Sequence, residues 1–471
     1  MNSASEHAGV VRRFALLGSG EALARGTAFV TMAVLAHRVD AAAFGMIAFA
    51  LAVVLYLGRV ADAGIDLGVG IREVAAARGS LDALVPALLA LRLVLALGLV
   101  ATCGLLALLW SAPDGRIIAL YTLTLLPLAA GTRWVLTGLE RTAAVGAART
   151  LGELIALCGV VLFVRDAGDL WRVPLAQFTG DSVAALLLAY RVRRLGIPVR
   201  PRWDASVVAR LRHHVAPYVG STLLGLVIFN SDLIFLRLLR GRELVGYYAA
   251  AYALISFLIS ISSAHLLTLL PALARLNGAV DAQRVLYRDA IARMLAVVLP
   301  VAVGGALIAG PLVRLAFGDS FISAIPVLVV LLGTVPLFAL RDIASCAILA
   351  RRREGMVFRI SALSAVLSVV LNLSLIPGFG MMGAASATLL TEAIRLVLCV
   401  TAAHSLGFPW PPLARGWRPA VAVLIMWGAV RTMPASSLWV TVPVAALIYG
   451  ACLFVMRGLR RGPGWQLSLD V

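Results

Sequence analysis

Lysine is absent from this sequence, and acidic residues are scarce. All 41 basic residues are arginine, against 23 acidic residues, which gives a formal net charge of +18. Without lysine, the chain has no phosphate loop of the Walker type and no lysine that could form a Schiff base. Only 14% of the residues are charged, whereas soluble domains contain about a quarter. These absences exclude several enzyme classes and argue against a soluble fold.

Cysteine and histidine are also few, and neither shows the spacing of a metal site. The six histidines form no HExxH motif, and His213 and His214 adjoin a basic loop, where we expect them at the membrane interface. The five cysteines lie inside apolar blocks and are expected to be buried small hydrophobes: Cys103, Cys158, Cys346, Cys399 and Cys452. We therefore predict no metal, no cofactor and no catalytic residue.

Long apolar runs dominate what is present. Hydrophobic residues make up 61% of the chain, and the mean hydropathy is +0.97. Blocks such as LVPALLALRLVLALGLVATCGLLALLW (84–110) are continuous, whereas the strands of a membrane barrel would alternate over about ten residues. Because a helical span needs roughly 20 apolar residues, the sequence predicts an all-α integral membrane protein with about 14 transmembrane helices.

The arginines are distributed unevenly over the predicted connections. If the N-terminus is cytoplasmic, most arginines fall on cytoplasmic connections and on the two termini, as the positive-inside rule requires. The N-terminal segment resembles a signal peptide, but Glu21 and Arg25 interrupt its apolar run, so we expect a retained first helix. The sequence thus predicts a multi-pass protein with both termini in the cytoplasm.

Weak internal repeats suggest two halves. AFGMIAFALAV (43–53) aligns with LVGYYAAAYAL (244–254), which places Gly45 opposite Gly246. TGDSVAALL (179–187) aligns with LTEAIRLVL (390–398), which places Asp181 opposite Glu392. We predict an N-terminal six-helix bundle, a basic linker, a C-terminal six-helix bundle, and two further helices with a cytoplasmic tail, at 1–195, 196–212, 213–404 and 405–471.

Ionisable residues inside the predicted spans are candidates for a functional site, because each costs about 3 kcal/mol at the centre of a membrane helix. Glu21 and Arg25 are four residues apart on one face of the first helix, and Arg59 and Asp62 repeat the arrangement in the second. Two arginines facing a wet cavity would bind phosphate, because their planar guanidinium groups donate paired hydrogen bonds. A purely structural Glu21–Arg25 pair is the alternative.

Other charges within the spans are less informative. Several lie near predicted helix ends, where long side chains reach the interface: Arg133, Glu140, Arg341, Asp342 and Arg359. Those placed more deeply are Arg92, Glu153, Asp181, Asp232, Glu392 and Arg395. Arg237, Arg240 and Arg242 cluster at a predicted outer turn, where they either anchor the helix end or bind phosphate.

Four stretches resemble bacterial polysaccharide-unit flippases of the multidrug/oligosaccharidyl-lipid/polysaccharide exporter superfamily. They are GSGEALARGTAFVTMAVLAHRVDAAAFGMIAFA (18–50), ADAGIDLGVGIREVAAARG (61–79), FNSDLIFLRLLRGRELVGYYAAAYAL (229–254) and LNLSLIPGFGMMGAASATLLTEAIRLVL (371–398). Arg25 and Arg59 match basic positions of that family, and Asp232 matches an acid of its seventh span. Together the matches run from about residue 14 to residue 400.

The resemblance implies two pseudo-symmetric six-helix bundles around a central cavity, with two C-terminal helices added. It implies translocation of a polyprenyl-pyrophosphate-linked oligosaccharide across the bacterial inner membrane, in lipopolysaccharide or exopolysaccharide biosynthesis. Arg25, Arg59 and Arg395 are then expected to bind pyrophosphate, with Glu21, Asp62, Asp232 and Glu392 as ion-coupling groups or counter-charges. The expected partners are membrane lipids, a polysaccharide polymerase and glycosyltransferases, with no nucleic acid, and the chain is expected to be a monomer.

Three other functions are compatible with parts of this sequence. A multidrug antiporter shares the fold, but its cationic cargo would favour acids over arginines within the spans. A flippase for the peptidoglycan lipid precursor would have a similar cationic cavity. A membrane-embedded glycosyltransferase, polymerase or ligase would need large outer loops for its active site, and the predicted outer connections are short.

Overall fold

A computed structural model describes residues 3–66, 68–76, 81–109, 113–276, 278–411, 417–433, 438–456, 459–461 and 467–469. The side chains of His213 and His214 lie outside the described part. The chain divides into two compact units, residues 1–246 and 247–471. Within the described residues, ten helical segments are long and apolar enough to cross a membrane. The protein is a helical multi-pass membrane protein, and the predicted number of fourteen spans is not confirmed.

Among the described residues, the first unit contains ten helices and the first residues of an eleventh. In chain order they are α1 (Ser3–Ala36), α2 (Ala41–Asp62), α3 (Val69–Ala76), α4 (Leu81–Leu109), α5 (Pro113–Thr122), α6 (Leu125–Ala130), α7 (Arg133–Gly138), α8 (Thr142–Phe163), α9 (Arg172–Arg193), α10 (Ala205–Arg240) and α11 (Arg242–Arg275). A 3-10 turn at Ala167–Asp169 joins α8 to α9. A core cluster of this unit includes Trp134, which is fully buried.

The hydropathy of residues 116–138 predicts one span, the fourth, but these residues do not form one continuous helix. They are divided into α5, α6 and α7, with breaks at Leu123–Thr124 and Gly131–Thr132. Gly131 adopts an extended conformation with ψ of 134°, which ends the α6 hydrogen-bond ladder. The short helix α3 was not predicted either. It follows a turn in which Ala63 and Gly64 have positive φ, so the chain reverses sharply after α2.

The second unit continues from α11. Its helices are α12 (Val280–Leu307), α13 (Ala309–Phe317), α14 (Ile325–Leu332), α15 (Thr334–Ala350), α16 (Glu354–Ser405), α17 (Trp417–Thr432) and α18 (Leu438–Val455), with a 3-10 helix at Asp319–Ala324. Tyr449 of α18 donates a hydrogen bond to the Ala296 carbonyl of α12 at 2.6 Å, which fixes the C-terminal helices to this unit. Two short antiparallel strands, β1 (Leu459–Arg461) and β2 (Leu467–Leu469), follow α18 and were not predicted.

Helix α16 is a helical hairpin. Gly380 has φ 56° and ψ −130°, which are not helical values, and Pro377 precedes it. A Cβ atom on Gly383 would lie 2.3 Å from the Leu375 carbonyl oxygen, so the chain turns back tightly here. The side chains of Ser361 and Arg395 meet across the two arms at 3.4 Å. Hydropathy predicts two separate spans here, at 355–377 and 380–404, and they correspond to the two arms.

Candidate functional site

Three pairs of polar side chains, each four residues apart, concentrate on α1, α8 and α9 of the first unit. They are Glu21 and Arg25 on α1, Arg149 and Glu153 on α8, and Gln177 and Asp181 on α9. Residues at this spacing share one helical face. Each helix therefore presents a two-residue polar patch within an otherwise apolar segment.

Glycines next to these pairs bring the helix backbones together. A Cβ atom on Gly20 would lie 2.7 Å from Gly146 Cα, and one on Gly180 would lie 2.2 Å from the Gly152 carbonyl oxygen. Thr150 also donates a hydrogen bond to the Gly20 carbonyl across α1 and α8, at 3.1 Å. Small residues permit such close crossings in membranes. Because these glycines adjoin Glu21, Glu153 and Asp181, the crossings also assemble the charged groups.

Glu21 is shared between two arginines. Its Oε1 atom lies 3.3 Å from Arg25 Nε on the same helix and 3.4 Å from Arg149 Nη1 on α8. The Arg25 side chain remains 47% exposed, and that of Arg149 remains 40% exposed. Arg25 is thus anchored by Glu21, while about half of its side chain remains exposed.

Gln177 joins two carboxyl groups. Its Nε2 atom donates to Asp181 Oδ1 at 3.2 Å, and its side chain also hydrogen-bonds Glu153. Both acids are only partly exposed to solvent. The amide group thereby holds two acids together that would repel each other if both were ionised.

A cavity of about 210 Å³ lies beside this cluster. Its charged lining has both signs: Asp66, Glu153, Asp181, Arg133 and Arg149. Arg133 Nε and Asp66 Oδ2 are 3.8 Å apart. The polar centre of the first unit is therefore mixed in charge, and acids border this cavity together with the arginines.

Asp62 forms its ion pair with Arg92 of α4, not with Arg59, contrary to the pairing expected from the sequence. Asp62 Oδ1 and Arg92 Nη2 are 3.1 Å apart, and both side chains are buried. Arg92 also donates to the carbonyls of Leu128 at 2.6 Å and Gly131 at 2.8 Å. The Leu128 carbonyl also accepts the Gly131 N–H at 3.2 Å, so Arg92 stabilises the helix break and neutralises Asp62 at the same time.

Arg59 and Asp232 occupy different environments in the same unit. Arg59 is half-buried, and within the described residues it makes no hydrogen bond or ion pair. Asp232 is buried, and its carboxylate accepts a hydrogen bond from the Leu233 backbone at 2.8 Å. Its charge also acts on Tyr56 of α2, whose hydroxyl donates to the Leu226 carbonyl at 2.8 Å. Among the arginines expected to bind pyrophosphate, Arg59 is therefore the one whose guanidinium group has no hydrogen bond or ion pair within the described residues.

In the second unit, Glu392 and Arg395 belong to a buried network with two positive and two negative charges. The two side chains are 3.3 Å apart, and Glu392 also contacts Arg341 Nε at 3.3 Å. Arg341 pairs in turn with Asp342, and its guanidinium lies 4.1 Å from the Phe338 ring centroid. Asp181 and Glu392, which the sequence repeats align with each other, therefore have different partners. Asp181 is hydrogen-bonded by the Gln177 amide, whereas Glu392 forms ion pairs with two arginines.

The arginines at the predicted outer turn share one carboxylate. Arg237 donates to Asp114 Oδ2 with Nε at 2.9 Å and also with Nη2, while Arg242 Nε lies 2.9 Å from Oδ1. These contacts tie α5, α10 and the start of α11 together. Anchoring, one of the two roles considered for these residues, accounts for Arg237 and Arg242, whereas Arg240 remains exposed.

Three further residues of this polar site were not expected from the sequence: Arg149, Gln177 and Asp66. The first two could have been found from their spacing, since each precedes an acid on its own helix by four residues. Asp66 follows α2 in a turn, where an isolated acid carries little signal. Within the described residues, no group of three or more histidine, cysteine or acidic side chains is arranged to hold a metal ion.

The fold resembles transporters of known structure. The lipid II flippase MurJ in an inward closed conformation matches with a TM-score of 0.76 at 11% identity, over 94% of this chain and 98% of that one. An inward-facing MATE multidrug resistance transporter of the MOP superfamily matches with a TM-score of 0.65 at 13% identity, over 84% and 98%. At such low identity the likeness concerns the fold. It is the fold of a helical multi-pass membrane protein.

A family model described as polysaccharide biosynthesis protein matches residues 10–277. The chain belongs to this family. The probable low-salt glycan biosynthesis flippase Agl15 of Haloferax volcanii is 27% identical over 169 residues, which is 36% of each chain. The probable flippase AglR of the same organism is 29% identical over 191 residues, or 39% of each. The chain thus matches little more than a third of either relative.

Proposed function

We propose that this protein translocates a polyprenyl-pyrophosphate-linked oligosaccharide repeat unit across the bacterial inner membrane by alternating access, with both termini in the cytoplasm. The observation that carries this proposal is the position of Arg25. It lies on α1, in an apolar stretch that the sequence predicts to span the membrane, is anchored by Glu21, and keeps about half of its side chain exposed. A pyrophosphate requires accessible cations that donate paired hydrogen bonds, and a guanidinium group provides them.

Arg59 is the second proposed ligand, because it has a half-buried guanidinium with no hydrogen bond or ion pair among the described residues. Arg395 was expected to take the same role from the second half. In this conformation it is bound to Glu392 and Ser361, so a role in binding would require that network to open. We therefore place the pyrophosphate at Arg25 and Arg59 of the first unit.

We further propose that Glu153 and Asp181 couple transport to a proton gradient, with Glu21 as the counter-charge of Arg25. Two acids joined by one amide can exchange a proton without losing their positions. The coupling candidates expected from the sequence were Glu21, Asp62, Asp232 and Glu392, and the last three of these are deeply buried. Asp62 and Glu392 are each buried against arginine, and we propose that they serve as structural counter-charges.

Reconstitution in proteoliposomes would test this function. We expect flipping of a fluorescent polyprenyl-pyrophosphate oligosaccharide, measured as the fraction protected from a membrane-impermeant quencher. Arg25→Gln and Arg59→Gln should each reduce the rate at least tenfold. Arg165→Gln is the matched control, because Arg165 is exposed in the turn after α8, outside the charged cluster. Normal flipping by both variants at normal protein levels would overturn the site assignment.

The peptidoglycan lipid precursor is the second candidate cargo, because it also carries a pyrophosphate and because the fold matches a lipid II flippase over nearly the whole chain. A parallel assay with that lipid separates the two. Faster flipping of the precursor would replace the proposed cargo. Transport of a cationic dye, with neither lipid moved, would assign the protein to the multidrug antiporters.

A further inference from the structure

The linker between α9 and α10 carries an unpaired positive surface. Six arginines in and beside it are exposed, and we call them the linker arginines: Arg191, Arg193, Arg194, Arg200, Arg202 and Arg210. Within the described part of the chain, none of them forms an ion pair. The positive-inside rule explains a basic linker in general, but not the fixed arrangement of these side chains.

The only acid between residues 190 and 211 does not neutralise this surface. Asp204 caps the N-terminus of α10, and its carboxylate accepts hydrogen bonds from Ser206 Oγ at 2.6 Å and Ser206 N at 2.9 Å. It also accepts one from Val207 N at 3.3 Å. Asp204 also attracts Arg202, but one negative charge against six positive charges leaves a net charge of +5 on this surface for an external partner.

The linker backbone is held against the first unit. Val192, Ile197, Val207 and Leu211 are buried in the core cluster that includes Trp134. The backbone N–H of Arg202 donates to the Pro86 carbonyl of α4 at 3.1 Å. The arginine side chains therefore project from a fixed strip and not from a flexible tether, so the entropy cost of ordering them on a partner is reduced.

Two large aromatic side chains accompany the arginines. Trp203 is 54% exposed and lies next to Arg202, and Tyr190 is 52% exposed at the end of α9. The Arg194 guanidinium lies 5.0 Å from the Tyr190 ring centroid. Exposed tryptophan and tyrosine beside arginine, at the ends of membrane helices, match the headgroup layer of a bilayer, where an aromatic ring is partly immersed and the cation meets phosphate.

We propose that this strip, centred on Arg200, Arg202 and Trp203, is a docking surface for anionic phospholipid headgroups of the adjacent leaflet. Each arginine near such a surface contributes about fivefold to the preference for anionic lipid. The contact would hold the linker end of α9 and α10 at the membrane surface. This inference depends on the linker alone and is independent of the cargo.

Fluorescence quenching of Trp203 would test the proposal. The protein is reconstituted in vesicles of four parts phosphatidylcholine to one part phosphatidylglycerol, with a nitroxide quencher on the headgroup of either lipid. The Trp203 signal is the difference between wild type and Trp203→Phe. We expect the labelled phosphatidylglycerol to quench at least threefold more, and we expect high salt to abolish this excess, because the screening length falls from about 10 Å at 0.1 M to about 3 Å at 1 M.

Charge variants make the test specific. Arg200→Gln with Arg202→Gln should remove most of the excess quenching, and Arg200→Lys with Arg202→Lys should retain it. The double variant Arg165→Gln with Arg240→Gln removes the same charge near the opposite ends of α9 and α10. It should leave the excess quenching by phosphatidylglycerol intact. Equal quenching by both lipids would overturn the proposal. If the two labelled lipids quench Trp203 equally and soluble pyrophosphate changes the Trp203 emission, the proposal is also overturned. The strip would then bind a soluble anion and not a lipid headgroup.

Discussion

Gly45 and Gly246, which the sequence repeat places at equivalent positions, lie against each other in the structure. A Cβ atom on Gly45 would lie 2.7 Å from the Gly246 nitrogen and 2.0 Å from the Arg242 carbonyl oxygen. One on Gly246 would lie 1.9 Å from the Ala41 carbonyl oxygen. The start of α2 and the start of α11 therefore cross with their backbones in contact, which only glycine permits.

Gly45→Ala and Gly246→Ala should each destabilise the protein. The added methyl group meets backbone atoms that cannot rotate away, so the helices must separate, at a cost of about 1–3 kcal/mol. Thermal unfolding in detergent would measure this. Gly98→Ala on α4 is the control, since a Cβ atom there would meet no neighbouring atom within 4 Å, and the helix propensity of alanine should leave its stability equal or higher. Equal melting of all three variants would show that the crossing is not tight.

Arg25→Gln should separate binding from stability. Glu21 retains Arg149 at 3.4 Å when Arg25 is neutralised, so we expect a loss of less than about 1 kcal/mol in the free energy of unfolding. Flipping should nevertheless fall at least tenfold, and Arg25→Lys should restore only part of it, because an ammonium group lacks the planar fork. If melting and flipping fell in parallel, the pair would be structural. Exchanging Glu21 and Arg25 is a poorer test, because it would place two arginines beside each other.

Arg92→Met should be among the most destabilising single substitutions in the first unit. It leaves the Asp62 carboxylate buried without its cation and removes one donor from each of the Leu128 and Gly131 carbonyls. Breaking such a buried pair costs about 3–5 kcal/mol. Combining it with Asp62→Asn should recover part of the loss in a thermal melt. A double variant that is no more stable than Arg92→Met would mean that the carbonyl contacts dominate.

Asp181→Asn should remove the dependence of transport on an imposed proton gradient while leaving gradient-free equilibration measurable. Asparagine can still accept a hydrogen bond from Gln177, so the packing of α8 against α9 is preserved, but it cannot bind a proton. Flipping rates with and without a pH difference across the vesicle membrane provide the measurement. Glu354→Gln, an exposed acid at the start of α16, is the control. Unchanged gradient dependence in Asp181→Asn would exclude this acid from coupling.

Asp204 gives a prediction for acid stability. Hydrogen bonds from the Ser206 side chain and from the backbone of Val207 and Ser206 hold the pKa of this carboxyl below its ordinary value. A depressed pKa adds stability above the pKa of the unfolded chain, about 3.9, and this stability is lost as the pH falls through the lower, folded value. Wild type should therefore lose stability relative to Asp204→Asn between neutral pH and about pH 3. Melting curves that stay parallel over this range would contradict the capping role.

The helical membrane architecture was predictable from hydropathy, whereas the predicted number of fourteen spans is not confirmed. The errors lie where backbone geometry breaks the pattern. The span 116–138 reads as continuous in hydropathy, yet Gly131 turns to an extended conformation and divides it. Conversely, α16 spans 52 residues, and only Gly380 shows that it contains two arms. Hydropathy shows which stretches of the chain can be buried in lipid. It does not detect a single residue with non-helical backbone angles.

The candidate site was predictable only in part. Glu21 and Arg25 pair as expected, because their contact is local to one helix. Arg149 and Arg92 were not identified as partners of Glu21 and Asp62, because those contacts join helices far apart in the chain. Spacing along a helix identifies neighbours within one turn and says nothing about which helix lies alongside.

The sequence by itself determined that this chain is a helical membrane protein, that arginine supplies all of its positive side-chain charge apart from histidine, and that glycines adjoin its membrane-buried acids. These properties follow from composition and from the cost of placing charge in lipid. Only the tertiary structure decided which charges are engaged. Close glycine crossings brought Arg149 to Glu21, and the helix break brought Arg92 to Asp62, while Arg59 was left without an ion pair among the described residues. Availability for a ligand depends on contacts between helices, and packing alone fixes those contacts.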